Sequence, residues 1–223
     1  MHGSPLVNEI LFRLGPVAIS LPVVTTWVIM AALATICGLV TRRLQKRPDA
    51  RQAVLEIIVT GITSQIEDIT RRDARPLLPL LGTLFIFLVV ANLCGLLPGV
   101  KAPTATLETP AALALIVFFS VHFFGIRARG LGGYLASFAE PRLIMLPLNV
   151  LSEITRTFSM MVRLFGNVMS GEFVIALIVA MAGLFLPIPL MVLEILVGVV
   201  QAYIFTVLAT VFIGAAVGDV KTA

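Results

Sequence analysis

Charged residues are absent from long blocks of this chain. Residues 17–40, 77–100 and 195–217 each run for more than twenty positions without one charged side chain. At ~1.5 Å per residue, a helix of that length crosses the ~30 Å hydrocarbon core of a bilayer, so each block predicts a membrane span. Residues 109–126 form a shorter uncharged block and predict another. Between the first two spans the rhythm changes. Over residues 51–72, Val54, Ile58, Ile62, Ile66 and Ile69 recur at intervals of three and four, with Gln52, Glu56, Ser64, Glu67 and Asp68 between them. That pattern predicts an amphipathic helix lying on the membrane surface or against a partner.

The last part of the chain carries the longest pattern. Residues 143–182 are helix-compatible throughout, with Pro147 near their start, and as one helix would extend ~60 Å, about twice the hydrocarbon core. Such a helix must tilt steeply, lie nearly in the membrane plane or break near Pro147. Gly183 and the sequence LPIP, Leu186 to Pro189, predict a turn into a second long helix over residues 190–217. The pattern as a whole predicts an all-α integral membrane protein with about five membrane helices and one amphipathic surface helix. Residues 1–223 read as a single membrane domain whose last two helices form a long, steeply tilted hairpin.

Composition agrees and excludes a soluble domain. The chain is 59% hydrophobic and 13% charged, with a mean hydropathy of +1.06, whereas soluble domains carry roughly a quarter charged residues. The net charge of +4 does not indicate nucleic-acid binding, because the basic residues flank spans instead of lining a patch. They indicate orientation. Arg42, Arg43, Lys46, Arg47 and Arg51 follow the first span, Arg71, Arg72 and Arg75 precede the second, and Arg127, Arg129 and Arg142 follow the third. With Lys221, twelve basic residues fall on one side, against Arg13 and Lys101 on the other. The positive-inside rule therefore places the N-terminus outside and the C-terminus in the cytoplasm. The first block exceeds a signal-peptide core and reads as a retained span. Cys37 and Cys94 have no metal-ligand spacing and read as packing residues.

Charge inside the long hairpin points to function. Met161 to Glu172 reads MVRLFGNVMSGE. A guanidinium in hydrocarbon costs ~2.5 kcal/mol or more and keeps its proton, so Arg163 must face a polar cavity or a carboxylate. At ~100° per residue, Arg156, Ser159, Arg163, Gly166, Asn167 and Ser170 share one helix face, while Glu172 falls on the opposite face. Glu194, Gly198 and Gln201 form one stripe on the second helix. One reading pairs Arg163 permanently with Glu172 or Glu194 in a bridge that fixes helix packing, although Arg163 and Glu172 cannot share a face of one straight helix. The other has Arg163 meet a carboxylate from another subunit, with small Gly166 and Ser170 allowing close approach, and the glutamates serving an ion path. His122 reads first as a packing or interfacial residue. The Gly-rich stretch RARGLGGY reads as a loop after the third span; its glycines follow no strand, and no GxxxxGK[ST] occurs, so no phosphate cradle is expected.

The series RLFGN, SGE and QAYIFTVL, with ANLCGLLPG and PTATLET upstream, resembles subunit a of the F-type ATP synthase, bacterial type, from about Arg71 onward. The resemblance implies the ion-channel stator of the membrane Fo sector, with two aqueous half-channels that carry protons to and from the carboxylates of a c-subunit ring. Ion flow is coupled to ATP synthesis or hydrolysis, and the subunit itself is not catalytic. It implies Arg163 as the essential cation facing the ring carboxylate, Asn167 and Gln201 as its polar neighbours, and Glu172 and Glu194 as the half-channel pair. Implied partners are the c-ring, the peripheral-stalk subunit b and the lipid bilayer of the bacterial inner membrane, with no nucleic acid, cofactor or metal. Two departures stand out. The family often has a histidine at one position of the half-channel pair, where this chain has glutamate at both. Thr106 stands where many members have an acid, and Glu108 is a weaker candidate for the ion path in its place. A sodium-translocating version of the subunit, a self-contained secondary transporter and a structural scaffold are the alternatives. A transporter would be expected to show inverted repeats, and the two halves here are unlike.

Overall fold

Prolines set where several helices begin. A proline in the first helical turn lacks an N–H that would have no intrahelical acceptor there, and its φ is already helical. In the computed structural model, which describes residues 10–14, 17–41, 50–95, 102–139, 146–183 and 185–218, helix α1 spans Leu21–Thr41 with Pro22 second. Helix α2 spans Ala50–Thr70, and α3 spans Leu78–Cys94 with Pro79 second. A 3-10 turn, Pro103–Ala105, precedes α4, Glu108–Ala139. Helix α5 is Leu146–Ala182 with Pro147 second, and α6 is Pro187–Val217. Pro147 thus starts the long helix instead of breaking it. The LPIP turn is likewise shorter than expected, since Pro187 and Pro189 already lie in the first turn of α6. Helices α1, α4, α5 and α6 are long and apolar enough to cross a membrane, and α3 is a shorter apolar helix.

Two expectations from the sequence are corrected. The block expected to be helical from residue 17 opens instead with a strand. Strand β1, Ile10–Leu14, pairs antiparallel with β2, Val17–Ser20, through Phe12↔Ile19 and Leu14↔Val17. β-branched Val17 and Ile19 suit a strand, and the hairpin hands over to α1 just before Pro22. The RARGLGGY stretch is also not a loop, because α4 continues through it with a single interruption at Gly130 (φ 74°, ψ 162°). Only glycine takes that conformation without steric cost, so α4 consists of two helical segments that meet at a kink there. After the kink Tyr134 lies against Gly125, where a Cβ would overlap the Tyr134 ring. The same ring meets His122 edge-on at 5.8 Å, and His122 Nδ1 lies 2.8 Å from the Phe118 carbonyl oxygen. The basic residues Arg42, Arg43, Lys46, Arg47, Lys101, Arg142 and Lys221 lie outside the described residues.

The core forms where α3, α4 and α6 meet. Leu81, Leu84 and Leu88 of α3 pack with Val117 and Val121 of α4 and with Ala202, Phe205, Ala209 and Ile213 of α6. From α2, the expected apolar face reaches this core through Ile66, which is buried, whereas Ile58 stays exposed. Helix α5 joins it by a single stripe, Met160, Leu164 and Val168, spaced four apart. It runs for 37 residues, about 55 Å of helix, which must run obliquely to fit a ~30 Å hydrocarbon core. The end of α6 is held by two arginines. Arg72 Nη2 donates to the Gly218 carbonyl at 2.7 Å, and Arg129 Nε donates to that of Val217 at 3.3 Å. These carbonyls have no acceptor role inside the helix, and cations there also suit its dipole.

Candidate functional site

Helices α5 and α6 run antiparallel, and α3 lies beside α6, so polar side chains from three helices meet near the α5–α6 turn. Asn92 of α3 is buried among them. Its Nδ2 donates to the Gly198 carbonyl of α6 at 2.9 Å, and Thr104 Oγ1 donates to its Oδ1 at 2.9 Å. Gly198 is needed for this approach, since a Cβ there would fall 3.1 Å from Asn92 Cβ. Replacing Asn92 by leucine should remove both bonds. At the ~0.6–1.7 kcal/mol measured for interhelical hydrogen bonds in membranes, the loss is about 1–3 kcal/mol. A lower melting temperature of the detergent-solubilised complex would register it, and an unchanged one would refute a holding role for Asn92.

This network backs a groove of ≈ 210 Å³ whose lining includes Asn92, Asn167, Ser170, Gly171, Glu194 and Gly198. The Glu194 carboxylate lies directly over Gly171, where a Cβ would stand 2.7 Å from Glu194 Cδ. Glu172 is close enough to act on Glu194 electrostatically. It lies outside the groove, however, and Glu172 Oε1 accepts the Ala102 N–H at 3.2 Å. The groove therefore brings together Asn167, Ser170 and Glu194, while Glu172 is turned to the chain that precedes α4.

Arg163 faces elsewhere. It lines a second, open groove of ≈ 470 Å³ with Arg156, Ser159 and, from α6, Leu208 and Phe212. Among the described residues Arg163 has no carboxylate within 4 Å, and the ion pair present, Arg75–Asp73, lies on the surface. A permanent internal bridge from Arg163 to Glu172 or Glu194 is thus not the arrangement found. One turn on, Gly166 borders open space, with no atom within 4 Å of where its Cβ would be.

The remaining expected residues are dispersed. Gln201 is buried on α6, and its Nε2 has no hydrogen-bond partner among the described residues. Glu108 starts α4 and lines a third cavity, ≈ 550 Å³ and largely apolar, between α1, α3 and α4. That cavity shares no lining residue with the Glu194 groove. Asn92, Thr104 and Gly171 were not singled out from the sequence. Asn92 carried a usable signal, a carboxamide inside a span, the same sign that marked Asn167. Gly171 carried none, because its role is to leave room for a side chain 23 residues away, at Glu194.

The ATP synthase A chain family matches residues 23–214 of the chain. Over 220 residues the chain is 77% identical to ATP synthase subunit a 2 of Bradyrhizobium sp., with 99% of each chain covered. It is 47% identical over 219 residues to ATP synthase subunit a of Albidiferax ferrireducens, covering 97% of this chain and 94% of that one. It is also 47% identical over 214 residues to ATP synthase subunit a 2 of Pelobacter propionicus, covering 96% and 94%. The chain, whose long hairpin carries an arginine with no ion pair among the described residues and a glutamate-lined groove, belongs to the family of ATP synthase subunit a.

Proposed function

We propose that this membrane subunit of the F-type ATP synthase is the stator of its ion path, with the two grooves of the α5–α6 hairpin serving as half-channels. The observation that carries this reading is Arg163, which has no ion pair among the described residues and lines one groove on the exposed side of α5, while the Glu194 groove opens farther along the same helix. A permanent cation placed so needs an external partner, and a carboxylate on a rotating c-ring is one of the right charge. Arginine suits the position because it stays protonated, where a buried lysine gives up its proton readily and would carry it. Each ring carboxylate gives up its ion on reaching Arg163, and the same cation bars a direct leak between the grooves.

Glu194 loads or unloads protons on its side, with Asn167 and Ser170 along the wall. Gly166, bordering open space, and Ser170 let the ring approach closely. Gln201 Nε2, with no hydrogen-bond partner among the described residues, is a donor left for water on the path. Glu172 and, more weakly, Glu108 extend the path towards the surface near the turn. Ions then pass between the outer face of the bacterial inner membrane and the cytoplasm, in the direction that synthesis or hydrolysis of ATP dictates, with the α2 end inside and the N-terminus outside. The same reading leaves the peripheral-stalk subunit b as a second partner and assigns this chain no ATP chemistry of its own.

Glu194→Gln tests the reading. Removing a group that takes and returns protons should slow potential-driven proton flux through vesicle-embedded complexes about tenfold or more. Unchanged flux between about pH 6 and 9 would refute the half-channel role. Flux that followed labelled sodium instead of protons would turn the reading to the sodium-translocating version.

A further inference from the structure

The two grooves along α5 carry opposite charge. Among the described residues, the Glu194 groove is lined by one carboxylate and no cation. The other is lined by Arg156 and Arg163, with Ser152, Thr155 and Ser159 between and beside them, and no acidic side chain among the described residues lines it. Arg156 precedes Arg163 by seven residues, about two helical turns or ~10 Å along α5, which brings both onto one side of the helix. It is also held in place, because its Cζ sits 5.4 Å from the centre of the Phe212 ring on α6, within cation–π range. Glu153 is the nearest acid before it on α5, yet no ion pair within 4 Å joins them among the described residues. Two guanidiniums that cannot lose their protons thus give this groove a fixed positive potential.

We propose that Arg156 is a specificity-determining residue, a second fixed cation that makes the Arg163 groove a path for water and hydroxide and excludes metal cations. The inference rests on the half-channel reading above. A proton leaves a ring carboxylic acid here by transfer to an incoming hydroxide: the acid O–H bond breaks, a water O–H bond forms, and carboxylate and water result. In the reverse direction water gives its proton to the carboxylate and the hydroxide departs. Net charge moves as though a proton had crossed, and no cation has to pass the two guanidiniums. Sodium has no such substitute and meets both charges.

The groove potential can be read directly in whole membrane-embedded complexes. In a background with Cys37→Ser and Cys94→Ala, Ser152→Cys places a thiol in the groove one turn from Arg156, and labelling of this subunit is followed with anionic and cationic thiol reagents. The anionic reagent should react faster. With charges ~8 Å apart in water-like surroundings, Arg156→Gln should lower the anionic-to-cationic rate ratio about fivefold and Arg156→Glu about thirtyfold, while Arg156→Lys preserves it. Added sodium should slow proton flux in Arg156→Glu complexes and not in the parent. A ratio unmoved by both Gln and Glu, or equal sodium sensitivity in parent and variant, would overturn the inference. If Arg156→Glu fails to assemble, the Gln and Lys variants still decide it. The labelling ratio does not depend on ion flow, so its failure leaves the half-channel reading standing. Conversely, unchanged flux in Glu194→Gln overturns that reading without altering the ratio.

Discussion

Arg163→Ala is expected to reduce coupled ATP synthesis about a thousandfold while leaving the complex assembled. The magnitude follows from the proposed role. A guanidinium ~4 Å from a carboxylate, at the effective dielectric constant of ~20 that suits protein sites, favours the ionised carboxylate by ~4 kcal/mol. Losing that preference slows ion release by about three powers of ten. Assembly should survive because Arg163 is exposed and forms no ion pair among the described residues, whereas the stripe that docks α5 is Met160, Leu164 and Val168. Synthesis driven by an imposed gradient in vesicles gives the first readout, and subunit content of the purified complex gives the second. Coupled synthesis near the parent rate would sink the proposed role, and loss of subunits would mean that Arg163 supports packing after all.

Gly171→Val is expected to lower proton flux by about tenfold or more, as Glu194→Gln does, although position 171 has no proton to exchange. The cause is spatial. The Glu194 carboxylate occupies the room beside Gly171, with Cδ 2.7 Å from where a Cβ would stand, and a carbon pair needs about 3.5 Å or more. The terminal carboxylate is flexible, so it swings out of the groove and the helices stay paired. Shortening the acid should give part of that room back. The double variant Gly171→Val with Glu194→Asp should therefore recover flux relative to Gly171→Val alone, a positive coupling of the kind a double-mutant cycle isolates. If the two effects simply add, the proposed contact is not what limits flux.

Much of this architecture is legible in the order of residues. The uncharged blocks mark the apolar helices, because a chain in hydrocarbon must satisfy its backbone internally and does so by helix formation. The length of the α5 pattern marks a helix too long to cross the bilayer upright in one piece. Arg163 is equally legible, since a fixed charge in an apolar block demands a partner. Legibility fails where one residue changes the local conformation. Gly130 reads as part of a loop in RARGLGGY, yet it is a one-residue kink between the two helical segments of α4, and helix resumes at Leu131. The start of α1 is misplaced for a related reason, as the short, largely apolar stretch from Val17 to Leu21 before Pro22 suits a strand and a helix alike.

The site divides along the same line. Sequence by itself determined that Arg163, Asn167, Ser170 and Glu172 are carried on one helix and Glu194 and Gln201 on the next, and that Arg163 and Glu172 point apart. These are consequences of helical period alone. Only the tertiary structure decided that Asn92 joins the Glu194 groove, that Gly171 makes room for Glu194, that Glu172 turns to Ala102, and that Arg156 shares a groove with Arg163 against Phe212. Each of these depends on how far one helix slides and turns against another. That register is set by buried side chains packing across α3, α4, α5 and α6 together, and no single stretch of sequence contains it.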